Sequence, residues 1–443
     1  MNQAKSILIS GGTVIDPASG FEGRADLAIA EGRILSMAAQ APQGFTPDLR
    51  IDASHCILAP GLVDLSARLG EPGHEHEQML ESETAAAVAG GVTSLVCPPD
   101  TDPMLDEPGL VRMLKLRAAS LRRCRVYPLG ALTRGLAGKS LTEMVELTQA
   151  GCVGFSQADA AIGDSHVLLR AMQYAATFDY TVWLRPEDLH LGKGVAASGP
   201  LATRMGLSGV PVAAETIALH TIFELVRASG ARVHLCRVSS AEGVDLVRQA
   251  KARGLALSCD VSINSLHLTD ADIGYFDSRA RLRPPLRQQR DRDALSAGLL
   301  DGTIDCIVSD HCPVGADEKN LPFAEATPGA TGLELLLGLA FKWSHAQRYG
   351  DGLSAWMRAL RPLTSMPAGV LRAQLGAHAQ GIGRLQVGEA ADLCVIDPRA
   401  SWTVESGALR SQGKHTPFSG CELLGQVRWT LVDGQIAHQA VAP

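Results

Sequence analysis

From about residue 60 to residue 310 the chain repeats one rhythm, a short apolar run followed by a segment with helical spacing. Eight runs carry it: Leu62–Ser66, Ser94–Pro98, Arg125–Ala131, Cys152–Gln157, Thr181–Pro186, Arg232–Ser239, Leu255–Val261 and Cys306–Asp310. Between them, segments such as Glu77–Ala89, Glu215–Ser229, Ala241–Arg253 and Asp291–Leu300 repeat their apolar residues near 3.6. Strand and helix in alternation build a parallel sheet. Eight units in a row close it into a (β/α)8 TIM barrel, an α/β fold. An open doubly wound sheet would want a glycine-rich phosphate turn after its first strand. The first run leads instead into Arg68-Leu69-Gly70-Glu71-Pro72-Gly73, which has no such fingerprint.

The two chain ends read differently. Ile7-Leu8-Ile9 before Gly11-Gly12, and Leu27-Ala28-Ile29 before Glu31-Gly32, are hairpin patterns, and Val427 to Val432 before Asp433-Gly434 repeats them. The expected organisation is a small β-sandwich built from residues 1–57 and 386–443, flanking a barrel over 58–385. With 40 Lys+Arg against 47 Asp+Glu and no long basic run, nucleic acid is a poor partner. No apolar stretch approaches the roughly 18 residues of a membrane span. The start lacks a signal peptide's basic and apolar regions. The ten cysteines include no C-x-x-C pair, which argues against a zinc knuckle and for reduced thiols in a cytoplasmic protein.

In such a barrel the chemistry sits at the C-terminal ends of the strands. The first run ends Asp64-Leu65-Ser66-Ala67-Arg68-Leu69-Gly70-Glu71-Pro72-Gly73, and the eighth ends Ser309-Asp310-His311-Cys312-Pro313. With Gly90-Gly91-Val92-Thr93-Ser94, Arg283-Pro284-Pro285-Leu286-Arg287, Thr327 to Glu334 and Gly388-Glu389-Ala390-Ala391-Asp392-Leu393, these stretches resemble the amidohydrolase superfamily and, within it, type I dihydroorotase. The likeness covers nearly the whole chain. It implies a barrel with a small β-sandwich and hydrolysis of a cyclic amide at one or two zinc ions. There the metal lowers the pKa of bound water and polarises the carbonyl. It further implies a His-x-His pair on the first strand, ligands from strands four, five and six, and an Asp from strand eight.

Residue by residue, the sequence departs from that set. The His pair is replaced by Ser66 and Arg68, the strand-four ligand by Gln157, and the histidines of strands five and six by Arg185 and Arg237. Asp310 alone survives. The substrate-holding Arg is Gly70, and two Asn positions carry Asp102 and Arg283. A guanidinium has no lone pair to donate and stays protonated. The zinc site is therefore expected to be lost and no cofactor is expected, with Asp310 acting as counter-ion to the arginines. Asp159 would replace the strand-four ligand only through a register shift. His74-Glu75-His76 reads as a loop beyond the strand, His311 as structural, and His267 as a packing residue.

The resemblance offers a role for such a chain. Some bacterial dihydroorotase-like proteins without zinc ligands assemble with the catalytic chain of aspartate carbamoyltransferase, in pyrimidine biosynthesis. The expected function is that of a catalytically inactive scaffold subunit, itself a two-fold homodimer. The competing readings are an active cyclic amidohydrolase with an altered metal site, and a small-anion sensor using the arginines.

Overall fold

The computed structural model describes residues 5–347, 354–379 and 381–440. The eight apolar runs become the staves of a parallel barrel. They are Leu62–Asp64, Val92–Cys97, Arg125–Pro128 with Gly130–Ala131, Phe155–Ser156, Thr181–Leu184, Arg232–Leu235, Leu257–Ser262 and Cys306–Val308. Each pairs in parallel with the next. The ring closes where Ala67 bridges His311: the Arg68 amide donates to the His311 carbonyl at 2.9 Å and the His311 amide to the Ser66 carbonyl at 3.2 Å.

The staves are Val-, Ile- and Leu-rich because both faces are covered. Outward residues such as Leu62, Val182, Val233 and Ile307 pack in one large core with the surrounding helices. Inward residues, among them Val63, Val96, Trp183 and Val308, meet Ala368 and Leu371 of the helix Ser365–Leu375. That helix fills one end of the barrel, so the opposite, C-terminal end holds the open mouth.

The chain ends fold together as expected. One sheet takes Arg33–Ala38, Asp26–Ala30, Ser6–Ser10 and Leu49–Asp52, in that order. The other takes Gln435–Gln439, Glu422–Val432, Leu393–Thr403, Ile57–Pro60, Thr13–Asp16 and Phe21–Arg24. Leu393 to Ile396 run antiparallel to Ile57–Pro60, which joins the two ends of the sequence in one sheet. The sandwich strand therefore runs on to Pro60, past the 57/58 division read from the sequence. Arg125, at the start of a barrel strand, forms ion pairs with Asp392 and Asp433 of the sandwich and ties the two parts together.

Candidate functional site at the barrel mouth

The residues at the ends of strands one, four, five, six and eight are held by an ion-pair lattice. Arg68 donates to Asp100 from Nε at 3.0 Å and from Nη2 at 2.7 Å, and its Nη2 also reaches Asp159 at 2.9 Å. Arg185 places Nε 2.8 Å from Asp159 Oδ1 and grips Glu187 with both terminal nitrogens. Arg237 bonds Asp159 through one terminal nitrogen and Asp310 through the other, the latter at 3.0 Å. Arg283 joins Glu187 at 2.7 Å. Four guanidiniums thus meet four carboxylates, Asp100, Asp159, Glu187 and Asp310, and the charges cancel.

Asp310 is a counter-ion to one of the three arginines, and Asp159 does more of the pairing. Among the guanidiniums Asp310 bonds Arg237, whereas Asp159 touches three. Asp159 gets there without a register shift. The fourth strand ends at Ser156, Ala158 takes a left-handed φ of 49°, and the next residue turns back over the mouth. Burial pushes the Asp159 carboxyl up, but Arg237, Arg68, Arg185 and Arg283 outweigh it and hold it well below the usual range. Burial wins at Asp310, whose carboxyl is raised despite Arg237 and Arg68. Arg237 and Asp310 also adopt left-handed backbone, φ 55° and 51°, at a cost of roughly 1–2 kcal/mol each for a residue with a Cβ. Their ion pair helps to offset that strain.

The other positions lie outside the lattice. Ser66 contributes its carbonyl to barrel closure. Gln157 turns toward the strand-three loop, accepting from Thr133 at 3.0 Å and donating to the Leu136 carbonyl at 2.7 Å. Gly70 has φ 73°, and a Cβ there would stand 2.1 Å from Gln78, so this backbone has no room for the arginine expected at that place. Asp102 is exposed, its amide donating to the Pro72 carbonyl at 3.0 Å.

The histidines are structural in their contacts. His74 and His76 lie in the loop beyond the first strand. His311 is fully buried: Nε2 faces Glu83 at 2.8 Å and Nδ1 faces the Gly332 amide at 3.1 Å. His267 bonds the Leu339 carbonyl and meets Phe418 edge-on. Deeper in the barrel, His234 spans Ser258 and Asp260, both at 2.8 Å, against the Trp183 ring.

These residues do not fit the zinc that the fold family implies. The ligand positions on strands one, five and six present guanidiniums, which lack lone pairs, and Asp310 is engaged by one of them. Among the described residues two other groups bring metal-capable atoms together, His234 with Cys236 and Asp260, and His76 with Glu77 and Glu318. In the first, His234 and Asp260 are hydrogen-bonded to each other. In the second, burial and the adjoining Glu318 carboxyl push Glu77 up to about 7, so Glu77 is only about half ionised at neutral pH.

Asp100, Asp159 and Glu187 were not legible as site residues by motif. One signal could have found them: buried arginines demand carboxylates, and each of these follows a strand end by a few residues.

A barrel with its mouth at the strand C-termini and a sandwich made from both chain ends is an amidohydrolase architecture. L-hydantoinase from Arthrobacter aurescens superposes with a TM-score of 0.84 over 98% of this chain and 96% of its own, at 23% identity. A D-hydantoinase from Thermus sp. gives 0.82 over 98% and 95%, at 20% identity. Residues 55–243 match the dihydro-orotase-like family model. A dihydroorotase-like protein of Pseudomonas aeruginosa is 44% identical over 435 residues, covering 98% of this chain and 100% of the relative. A dihydroorotase of Geobacter sp. strain M21 is 38% identical over 438 residues, covering 98% and 100%. The chain belongs to the dihydroorotase-like family of the amidohydrolase superfamily.

Proposed function

We propose that this protein is a non-catalytic member of its family and serves as an assembly subunit for the catalytic chain of aspartate carbamoyltransferase, in pyrimidine biosynthesis. The observation that carries the non-catalytic half is the Arg68–Arg185–Arg237 cluster around Asp159. A guanidinium cannot bind zinc or act as a base at neutral pH, and three of them converge on one carboxylate, Asp159. No cofactor is required on this reading. The partner is inferred from the likeness to dihydroorotase-like proteins that lack zinc ligands, and a fold outlives its site when another use remains.

A scaffold joins more than one partner assembly when it is itself a two-fold dimer, the commonest closed symmetry. The working compartment on this reading is the cytoplasm. Among the described residues no helix is long and apolar enough to cross a membrane. The test is co-expression with the transferase of the same organism, followed by size-exclusion chromatography with light scattering. Co-elution of both chains in one large species, with the transferase weaker or less active alone, is the expected result. Separate elution, with a transferase fully active alone, would sink the assembly role.

A further inference from the structure

Beside the ion-pair lattice lies a cavity of about 420 Å3, bordered by Asp159, Glu187, Lys193, Arg281, Arg283 and Pro328. Its two carboxylates are already engaged: Asp159 by three arginines, Glu187 by Arg185 and Arg283. Arg281 is not matched. Its Nη1 donates to the Val195 carbonyl at 3.0 Å, its Nε is buried without a hydrogen-bond partner, and no carboxylate pairs with it among the described residues. Burial, then the neighbouring Arg283, lower its affinity for its proton below the ordinary value. Lys319 adds to the positive field from behind, its Nζ donating to the Arg281 carbonyl at 3.0 Å and the Ser278 carbonyl at 3.1 Å. Lys193 stands exposed at the rim with no hydrogen bond or ion pair among the described residues.

We propose that this cavity binds a small free anion through a carboxylate or phosphate group held by Arg281 and Lys193. The lattice is neutral, so these two charges are surplus to it. The terminal Nη2 of Arg281 makes no hydrogen bond or ion pair among the described residues, and an anion in the cavity supplies an acceptor for it. Arginine forks match the oxygens of carboxylate and phosphate, and a lysine adds a mobile point charge. The volume suits a small metabolite. The site is distinct from Arg68, Arg185 and Arg237, whose charges are balanced by Asp100, Asp159, Glu187 and Asp310.

The inference does not depend on the assembly role, and its test uses the isolated full chain. Inorganic phosphate and succinate are titrated at constant ionic strength, with chloride as the control, while calorimetric heat and melting temperature are followed. Saturable binding of at least one of the two is expected, weakened roughly tenfold or more by Arg281→Gln and by Lys193→Gln, and unchanged by Arg399→Gln on the sandwich. If Arg281→Gln does not fold, Lys193→Gln on the exposed rim carries the comparison. A response that tracks ionic strength without saturating, or the same affinity in wild type and Lys193→Gln, overturns the proposal.

Discussion

Replacing Asp159 by Asn removes one charge and almost no volume, and the structure sets the size of the effect. Asp159 reaches Arg68 at 2.9 Å, Arg185 at 2.8 Å and Arg237. Each guanidinium keeps a second carboxylate: Asp100, Glu187 and Asp310 respectively. No arginine is orphaned, but the lattice changes from neutral to one excess positive charge. Breaking a buried ion pair costs roughly 3–5 kcal/mol. The Asp159 side chain is 23% exposed, so water screens part of the loss, and the low end, about 3 kcal/mol, is expected. Chemical denaturation of wild type and Asp159→Asn, each in low and high salt, measures it. Salt screens exposed charges far more than enclosed ones, so most of the deficit should persist in high salt. Asp102→Asn, at an exposed position, should stay within about 0.5 kcal/mol of wild type. If Asp159→Asn unfolds together with wild type, the lattice does not hold the mouth together and the reasoning fails.

Three further outcomes are expected. Asp310→Ala leaves Arg237 with only Asp159 among the described carboxylates and gives the buried lattice one excess positive charge, and should lower stability by roughly 3 kcal/mol; an unchanged melting temperature would mean the pair is wet. Asp64, enclosed beneath the mouth with Ser309 and Ser66 donating to it, is pushed up to about 6 by burial. A carboxyl raised in the folded state favours folding at low pH, and that advantage fades as pH climbs through the folded pKa, by up to roughly 3 kcal/mol in all. Asp64→Asn should therefore flatten the fall in stability between about pH 4 and 6, and an identical slope in the variant would exclude this assignment. The double variant Ser66→His with Arg68→His should gain no dihydroorotate hydrolysis, since Arg185 and Arg237 still stand at the other ligand positions; detectable turnover would show that the lattice yields to a metal.

The barrel was legible because periodicity speaks for itself. Eight apolar runs with helices between them leave few alternatives, and each run became a strand in the expected place. The sandwich was legible as hairpin punctuation at both ends, although its edge ran on to Pro60 because Ile57–Pro60 pairs with Leu393 to Ile396. At the site, the arginines could be placed because strand positions carry over between relatives. Their partners could not, because Asp100, Asp159 and Glu187 sit in the loops after strands, where backbone turns such as the left-handed Ala158 decide direction. Asp310 was visible as an inherited carboxylate and pairs with Arg237, while Asp159, which touches three arginines, sits on a loop. Arg281 was passed over because its isolation is a property of surroundings, which spacing does not encode.

The central claim is that guanidiniums occupy the positions of the metal ligands, and zinc content with hydrolysis tests it most directly. The full-length protein, purified without chelators, is analysed for bound zinc and assayed with dihydroorotate at neutral pH before and after zinc is supplied. The account predicts no hydrolysis above the uncatalysed rate and no zinc that supports it. One tightly held equivalent of zinc per chain, with turnover that vanishes when the metal is stripped and returns when it is restored, would contradict it.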